Sequence, residues 1–474
     1  MPAADTPAVI VARFLRANNY SETLDAFLRE AGLPSGAGVV RKGDLTIEKI
    51  LEEKKVFDLS LQFEKLGTVD DDKAWHVPAP SSFSVVSALP SSSNILHASL
   101  HRSISNDANA PLNSRLFVTT ADRRLNILDV PACEMHNSMG TLHDSPILSC
   151  TILKQRYVLS TAMSGELILS DMDGRVLDKR RDHTKYTVRV VAHEFATATW
   201  IATAGWDAKV VIYRNESSTE PSLGAPFATI SMQTNPESMV FLTHPENGQL
   251  ILVITRRDST FLHYYTVESI PRLLGKQNLA PYSNAWIAFT PAAIDLCPTD
   301  PTLLAVATST VPHMKLIIVR LLIPPYDPVI AAQLAAAAIR PNSPSPTTLL
   351  DDATAQDPLR PTAASVARAA LATQDREAAA IQIHCTTLAP QTAYSTPALA
   401  WRPDGTGVWV NSDDGAIRGI ETESGKIMAT LKAHEPGSKI RCLCAGLIEG
   451  KDRSEEWLVS GGFDHKLIVW RTQG

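Results

Sequence analysis

The chain has 474 residues and a formal net charge of −6, with 44% apolar and 20% charged residues. Such a composition can bury cores along most of its length, and as a prior the length allows about three domains. The mildly acidic balance argues against direct nucleic-acid binding, which draws on a basic stripe or patch.

No run approaches the roughly 18 uninterrupted apolar residues of a membrane helix, so no membrane partner is expected. The greasiest stretch, Leu316 to Ile323, is cut by Arg320 and stopped by Pro324-Pro325. The opening Met-Pro-Ala-Ala-Asp soon reaches Arg13 and Arg16 and does not read as a signal peptide. Six cysteines are scattered without a Cys-x-x-Cys pair, Cys442 and Cys444 lying closest. That usage reads as free thiols in a reducing compartment, which places the protein inside the cell, in cytoplasm and/or nucleus.

Residues 1–70 read as a small α-helical module. Ile10, Phe14 and Leu15 share one helical face, and after Asn18-Asn19-Tyr20 the period restarts with Leu24, Phe27, Leu28 and Ala31. Ser21 reads as an N-cap, and Gly32 before Leu33-Pro34 as a stop. Two helices this short are marginal alone and need a partner surface. A further helix is expected from a cap at Thr46 to a stop at Gly67, with Ile47, Ile50, Leu51, Phe57 and Leu61 as its apolar side.

The segment Phe14-Leu15-x4-Tyr20-x3-Leu24-x2-Phe27-x2-Glu30 resembles the LisH motif, a helical hairpin that dimerises into a four-helix bundle. The resemblance implies a homodimer through Ile10, Phe14, Leu15, Tyr20, Leu24, Phe27 and Leu28. The same residues also suit a hairpin packed on the chain's own domain. Asn19 stands where that family commonly has glycine, and asparagine is among the residues that tolerate positive φ.

From about residue 92 the period changes to that of strands and repeats itself. Ser460, Asp464 and Trp470 stand at offsets 0, +4 and +10; Thr203, Asp207 and Tyr213 repeat the spacing, and Ser160 to Ser170 repeats it with Ser164-Gly165 at the turn. A histidine lies upstream of each: His434, His183 and His143. Further turns are marked by Asp122, Asp258 and Asp414, leaving one gap of 156 residues between 258 and 414. That gap must hold another unit, read at Ala288 to Ile323, and extra sequence.

This pattern resembles the WD-repeat β-propeller, whose four-stranded blades recur every 40 to 45 residues. The expected fold is an all-β, seven-bladed propeller over residues 74–474, preceded by the helical module. Trp470 falls on a third strand with four residues left, so residues 74–90 are expected to supply the strand that closes the ring. An Ala/Pro-rich insertion is expected within the propeller at 325–380. Residues 331–380 hold seventeen alanines and five prolines, and no aromatic residue lies between Tyr326 and Tyr394. Helical tendency is read at 330–339 and 363–383.

Side by side, His434, Ser460 and Asp464 look like a nucleophile constellation. A catalytic serine, however, needs exposure, an oxyanion hole and a strained elbow, and no Gly-x-Ser-x-Gly is present. The WD-repeat resemblance implies instead a structural hydrogen-bonded tetrad of His434, Ser460, Asp464 and Trp470, with a weaker version at His183, Thr203 and Asp207. No phosphate loop, dinucleotide fingerprint or metal spacing occurs, so no cofactor, metal or catalytic residue is expected.

What the resemblance leaves for function is surface. The residue before each turn aspartate, or its equivalent, projects onto the propeller's top face: Ala121, Met163, Trp206, Arg257, Asp413 and Phe463. Of these, Met163, Trp206, Arg257 and Phe463 are the types enriched at binding hot spots, though Trp206 and Phe463 equally suit packing between blades. The expected function is a non-catalytic scaffold that self-associates through the hairpin and recruits a protein on the top face. A substrate-recruiting subunit of a ubiquitin ligase, or a transcriptional or chromatin corepressor adaptor, fits the same architecture. The ligase reading is weakened where Trp470-Arg-Thr-Gln and Tyr213-Arg-Asn-Glu replace Trp-Asp-x-Arg. Enzymatic use of the central channel is not expected, because no titratable cluster remains once the tetrads are set aside.

Overall fold

A computed structural model describes residues 6–40, a few positions between 44 and 51, residue 75, and residues 77–102, 114–216, 222–283, 289–327, 363–449 and 454–472. The chain divides into two units, Met1–Ala74 and Trp75–Gly474.

In the first unit, helix α1 (Pro7–Ala17) starts at Thr6, whose hydroxyl accepts from the Val9 N–H at 3.4 Å, with proline in the first turn. Helix α2 (Ser21–Glu30) is capped by Tyr20 without a side-chain bond, so Ser21 is the first helical residue and not the N-cap expected from sequence. Asn19 turns the chain at φ 59°. Ala12, Leu24 and Leu28 form a buried cluster, with Leu15, Phe27, Leu33 and Ala37 packed around it. Thr46 does cap a helical turn, its hydroxyl accepting from Lys49 N–H at 3.3 Å. The rest of that expected helix, from 52 onward, lies outside the described residues.

The second unit contains strands β1 to β28 in chain order, paired among the described residues as seven antiparallel four-stranded sheets. The leading strands of the sheets are β2 (Ile95–Arg102), β6 (Ile147–Leu153), β10 (Thr187–Phe195), β14 (Pro236–Thr243), β18 (Thr290–Leu296), β22 (Leu399–Trp401) and β26 (Ile440–Glu449). Each touches the next, and β26 returns to β2, so these seven strands ring a central channel. The fold is a seven-bladed β-propeller with a small helical module before it.

Strand sequences follow from burial on both faces. Along β12 (Lys209–Glu216), Val210 and Ile212 pack towards the following blade, while Val211 and Tyr213 pack towards the preceding one. Side chains alternate across a strand, so a sheet covered on both sides reads as an unbroken apolar run. Each of the seven blade interfaces holds one such cluster. Fully burying one of these aliphatic side chains contributes about 1.5–3 kcal/mol.

The ring closes as the sequence implies. Strand β1 (Ser82–Val85) pairs antiparallel with β28 (Leu467–Arg471), from Ser82↔Arg471 to Val85↔Ile468. Ahead of it, Trp75 wedges against Trp409, with ring centroids 5.3 Å apart, in space left by Gly407 and Gly419. The fully buried Arg402 lies over the Trp75 ring at 4.5 Å, donates to the Val77 carbonyl at 3.2 Å and pairs with Glu456 at 2.7 Å.

The fifth blade splits around the insertion. Its third strand, β20 (His313–Arg320), pairs with β21 (Ile381–Pro390), which lies beyond it. Helix α3 (Ala363–Ala380) ends where β21 begins, so the helical reading to 383 overran by three residues. Both described ends of the expected 325–380 insertion pack on the propeller. The Tyr326 hydroxyl donates to Glu268 at 2.8 Å, Ala380 enters the core, and Glu377 accepts from the Asn278 N–H at 2.8 Å. Residues 328–362, including the helical reading at 330–339, lie outside the described residues.

Candidate functional site

Asp122, Asp207 and Asp464 each fasten the loop ahead of their blade's first strand, whereas Asp414 bonds within its own turn. In the last blade the chain of bonds is complete. The Trp470 indole N–H donates to Ser460 Oγ at 2.9 Å, the Ser460 hydroxyl to His434 Nε2 at 2.9 Å, and His434 Nδ1–H to Asp464 at 2.9 Å. Asp464 also accepts from the Glu435 N–H at 3.1 Å. Burial pushes its carboxyl up, but the His434 ring and the N–H groups of Glu435 and Lys466 outweigh burial and hold it low. Burial pushes His434 down against the pull of Asp464, so the ring is neutral and its tautomer is fixed by the two partners. Gly462 is required here, because a Cβ would sit 2.5 Å from Asp464 Oδ1. The Ser460 hydroxyl is fully buried and spent in this network, so no external substrate can reach it.

In the third blade His183 bonds Thr203 Oγ1 and Asp207 Oδ1, each at 2.9 Å, and Gly205 plays the part of Gly462. The second blade keeps His143 on Ser160 at 2.8 Å, but Ser164 leaves the ring's Nδ1 without a hydrogen bond. There Glu166 approaches to 3.8 Å and pairs instead with Lys179 at 2.9 Å. Elsewhere Asp122 accepts from Ser91 at 2.6 Å and Asp414 pairs with Arg418 at 2.6 Å.

Five of the residues before those turns share one backbone bond. The N–H of Ala121, Met163, Trp206, Arg257 and Phe463 each donates to the carbonyl just ahead of its own blade's first strand, whereas that of Asp413 donates to Pro390 at the end of β21. These five are therefore equivalent positions around one face, and Asp413 departs from the pattern. Trp206 stacks between two neighbours: the Tyr186 ring at 5.4 Å and the Arg257 guanidinium at 5.6 Å. Arg257 is braced by Glu237 at 2.8 Å. Tyr186 and Phe463 are each 42% exposed, Arg257 is exposed, and Met163 and Trp206 are half-buried. Phe463 stands in a different blade from the Tyr186–Trp206–Arg257 row. Tyr186 and Glu237 were not legible as site residues, since neither lies at the repeated offset.

In the hairpin, Leu24 and Leu28 are interior to the unit, while Ile10, Phe14, Leu15 and Phe27 are half-buried and Tyr20 is 53% exposed. Phe14 and Tyr20 lie together, ring centroids 6.4 Å apart. Among the described residues no group of three or more His, Cys, Asp or Glu could hold a metal ion. No helix among them is long and apolar enough to cross a membrane.

Family comparison agrees with this geometry. A model described as UCP007778, beta-propeller domain, matches residues 97–471, and one described as UCP007778, LisH domain, matches residues 8–37. No curated protein matches the chain. The chain belongs to the UCP007778 family, as a beta-propeller carrying an N-terminal LisH domain.

Proposed function

We propose that the protein is a non-catalytic interaction scaffold. It self-associates through the LisH hairpin and recruits a protein partner on the propeller face that carries Tyr186, Trp206, Arg257, Met163 and Phe463. The observation that carries this reading is the Tyr186–Trp206–Arg257 stack, an aromatic and guanidinium row braced by Glu237 and open to solvent at both ends. Tyr, Trp and Arg dominate binding hot spots because they bring large, stiff contact area with a polar handle. On this reading the blades are of WD-repeat type, supported by the Trp470–Ser460–His434–Asp464 bonds. Action inside the cell, in cytoplasm and/or nucleus, is part of the proposal and is supported by six cysteines that are all free.

Native affinity purification with mass spectrometry tests the recruiting face. Full-length protein is compared with the Trp206→Ala/Phe463→Ala double variant. Loss of a defined partner set from a folded variant is the expected result. Retention of every partner overturns the assignment.

A further inference from the structure

The Tyr186–Trp206–Arg257 row has a chemical polarity of its own. The Trp206 ring is held by the Tyr186 ring at 5.4 Å, tilted 31°, and by the Arg257 guanidinium at 5.6 Å. A ring held between two neighbours offers a partner its edge, and aromatic edges carry the positive end of the ring quadrupole. Arg257 gives Nε to Glu237 at 2.8 Å, and among the described residues its two terminal nitrogens have no hydrogen bond. Its side chain is 49% exposed, so those four N–H bonds are open to a ligand. The Tyr186 hydroxyl has no hydrogen bond among the described residues either, and Trp206 Nε1 is a buried donor without a partner. Lys185, next to Tyr186, is exposed and has no ion pair among the described residues.

The nearby carboxylates leave this donor surface open. Asp207 is turned onto His183 Nδ1 at 2.9 Å and the Thr184 N–H at 3.0 Å. Glu237 is largely covered and sits on Nε, the stem side of the Arg257 fork. Asp258, next in the chain, is the exposed exception. The other cation of that turn, Arg256, is engaged by Thr234 at 2.9 Å and Gln233 at 3.0 Å.

At its other end the row becomes apolar. A Cβ at Gly165 would stand 2.6 Å from the His183 carbonyl oxygen and 2.7 Å from that of Lys185, so the turn carrying Met163 packs against the loop carrying Tyr186. Met163 is half-buried, and methionine adapts to apolar side chains of varied shape. The row thus runs from an apolar end in the second blade to a guanidinium in the fourth.

We infer that the row takes an extended acidic peptide, with an Asp or Glu carboxylate on the terminal nitrogens of Arg257 and an apolar side chain against Tyr186 and Met163. A guanidinium fork holds a carboxylate at two points, which fixes direction as well as adding affinity. Lys185 adds attraction of the same sign, and Asp258 opposes it. The steps of 5.4 and 5.6 Å from Tyr186 to Arg257 match about three residues of extended chain, which sets the spacing of the two anchors. This inference rests on the proposed recruiting face and adds the chemistry of its partner.

Panning a random phage-displayed peptide library on the full-length protein tests it, with Trp206→Ala as the counter-screen. The expected peptides are lost on Trp206→Ala and carry Asp or Glu about three residues from an apolar residue. In fluorescence anisotropy with one such peptide, Arg257→Gln weakens binding about tenfold, as loss of a charge-assisted bond would. Replacing the peptide's acid by its amide removes that difference between wild type and Arg257→Gln. Asp258→Asn tightens binding of the acidic peptide, a gain that misfolding cannot imitate. Peptides that depend on Trp206 but carry no acid overturn the acidic class and leave the face standing. Peptides enriched equally on Trp206→Ala overturn the face itself. No enrichment at all, or equal affinity in Arg257→Gln, overturns acidic-peptide recognition, while partner purification judges the face separately.

Discussion

Tyr213 and Trp470 occupy matching positions in two blades, yet they send their polar atoms to different partners. Trp470 donates to Ser460 at 2.9 Å, joining indole, serine, histidine and aspartate in one chain. Tyr213 donates to Asp182 at 2.8 Å, the residue just ahead of His183, and so fastens the loop from its other side. Both blades thus pin the loop that carries the histidine, by different bonds.

Asp464→Ala removes the acceptor at the end of that chain and leaves buried donors unsatisfied. It is expected to cost about 1–3 kcal/mol, read as a lower denaturant midpoint. Gly462→Ala is expected to destabilise by a different route, its Cβ meeting Asp464 Oδ1 at 2.5 Å. In the double variant the closer clash disappears with the carboxylate, leaving only the His434 ring at 3.0 Å, so the two effects should sum to less than their parts. Simple additivity would show that Gly462 is not required by Asp464.

Arg402→Ala is expected to be among the most damaging single changes in the propeller. It strands Glu456 as a buried carboxylate and frees Trp75 and the Val77 carbonyl at the ring closure. Breaking one side of a buried pair costs about 3–5 kcal/mol. Equilibrium unfolding checks it, and a near-neutral result would mean that closure does not depend on the clasp.

Stability should fall as pH drops below neutrality. Burial is the largest cause holding His97 at about 3 and His101, His143 and His263 at about 4. In an unfolded chain each titrates near ~6.5, so between about pH 6.5 and 4 the unfolded chain binds more protons and gains at the fold's expense. Asp295, an exposed residue of β18 that desolvation by its surroundings raises to about 6, works in the opposite sense. Glu237, Glu377 and Glu456, raised by burial, join it, while His193, His384 and His434, lowered by burial, add to the four histidines. Denaturant midpoints measured from pH 7.5 downward should decline, and a rise would contradict the buried neutral histidines.

The two parts of the Ala/Pro-rich stretch should separate on mutation. Deleting 331–362 is expected to leave the denaturation midpoint unchanged. Glu377→Ala should cost about 1–3 kcal/mol of stability, since the half-buried Asn278 N–H loses its acceptor. The reverse pattern would place the structural role in the deleted segment.

Much of this architecture was legible because a strand buried on both faces must be apolar throughout, and seven repeats of that demand leave a period. The blade split by the insertion was harder. Strand β21 follows a polar, alanine-rich helix with no turn signal, so Ile381 to Ile383 read as helix. Alternation also failed where the backbone breaks step. Register breaks at the start of β2, β6, β10, β14, β18 and β26 change which face a side chain takes, and a period of two cannot follow that. Leu24 and Leu28, read from sequence as dimer residues with Ile10, Phe14, Leu15, Tyr20 and Phe27, lie in the hairpin's own core, and only packing separates them from their more exposed neighbours.

The proposed function joins two copies of the chain at the hairpin, which sedimentation velocity on the full-length protein tests most directly. A dimer for the wild type and a monomer with a folded propeller for Phe14→Asp is the predicted pair of results. A wild type that sediments as a monomer across the micromolar range, or a Phe14→Asp variant that remains a dimer, would contradict it.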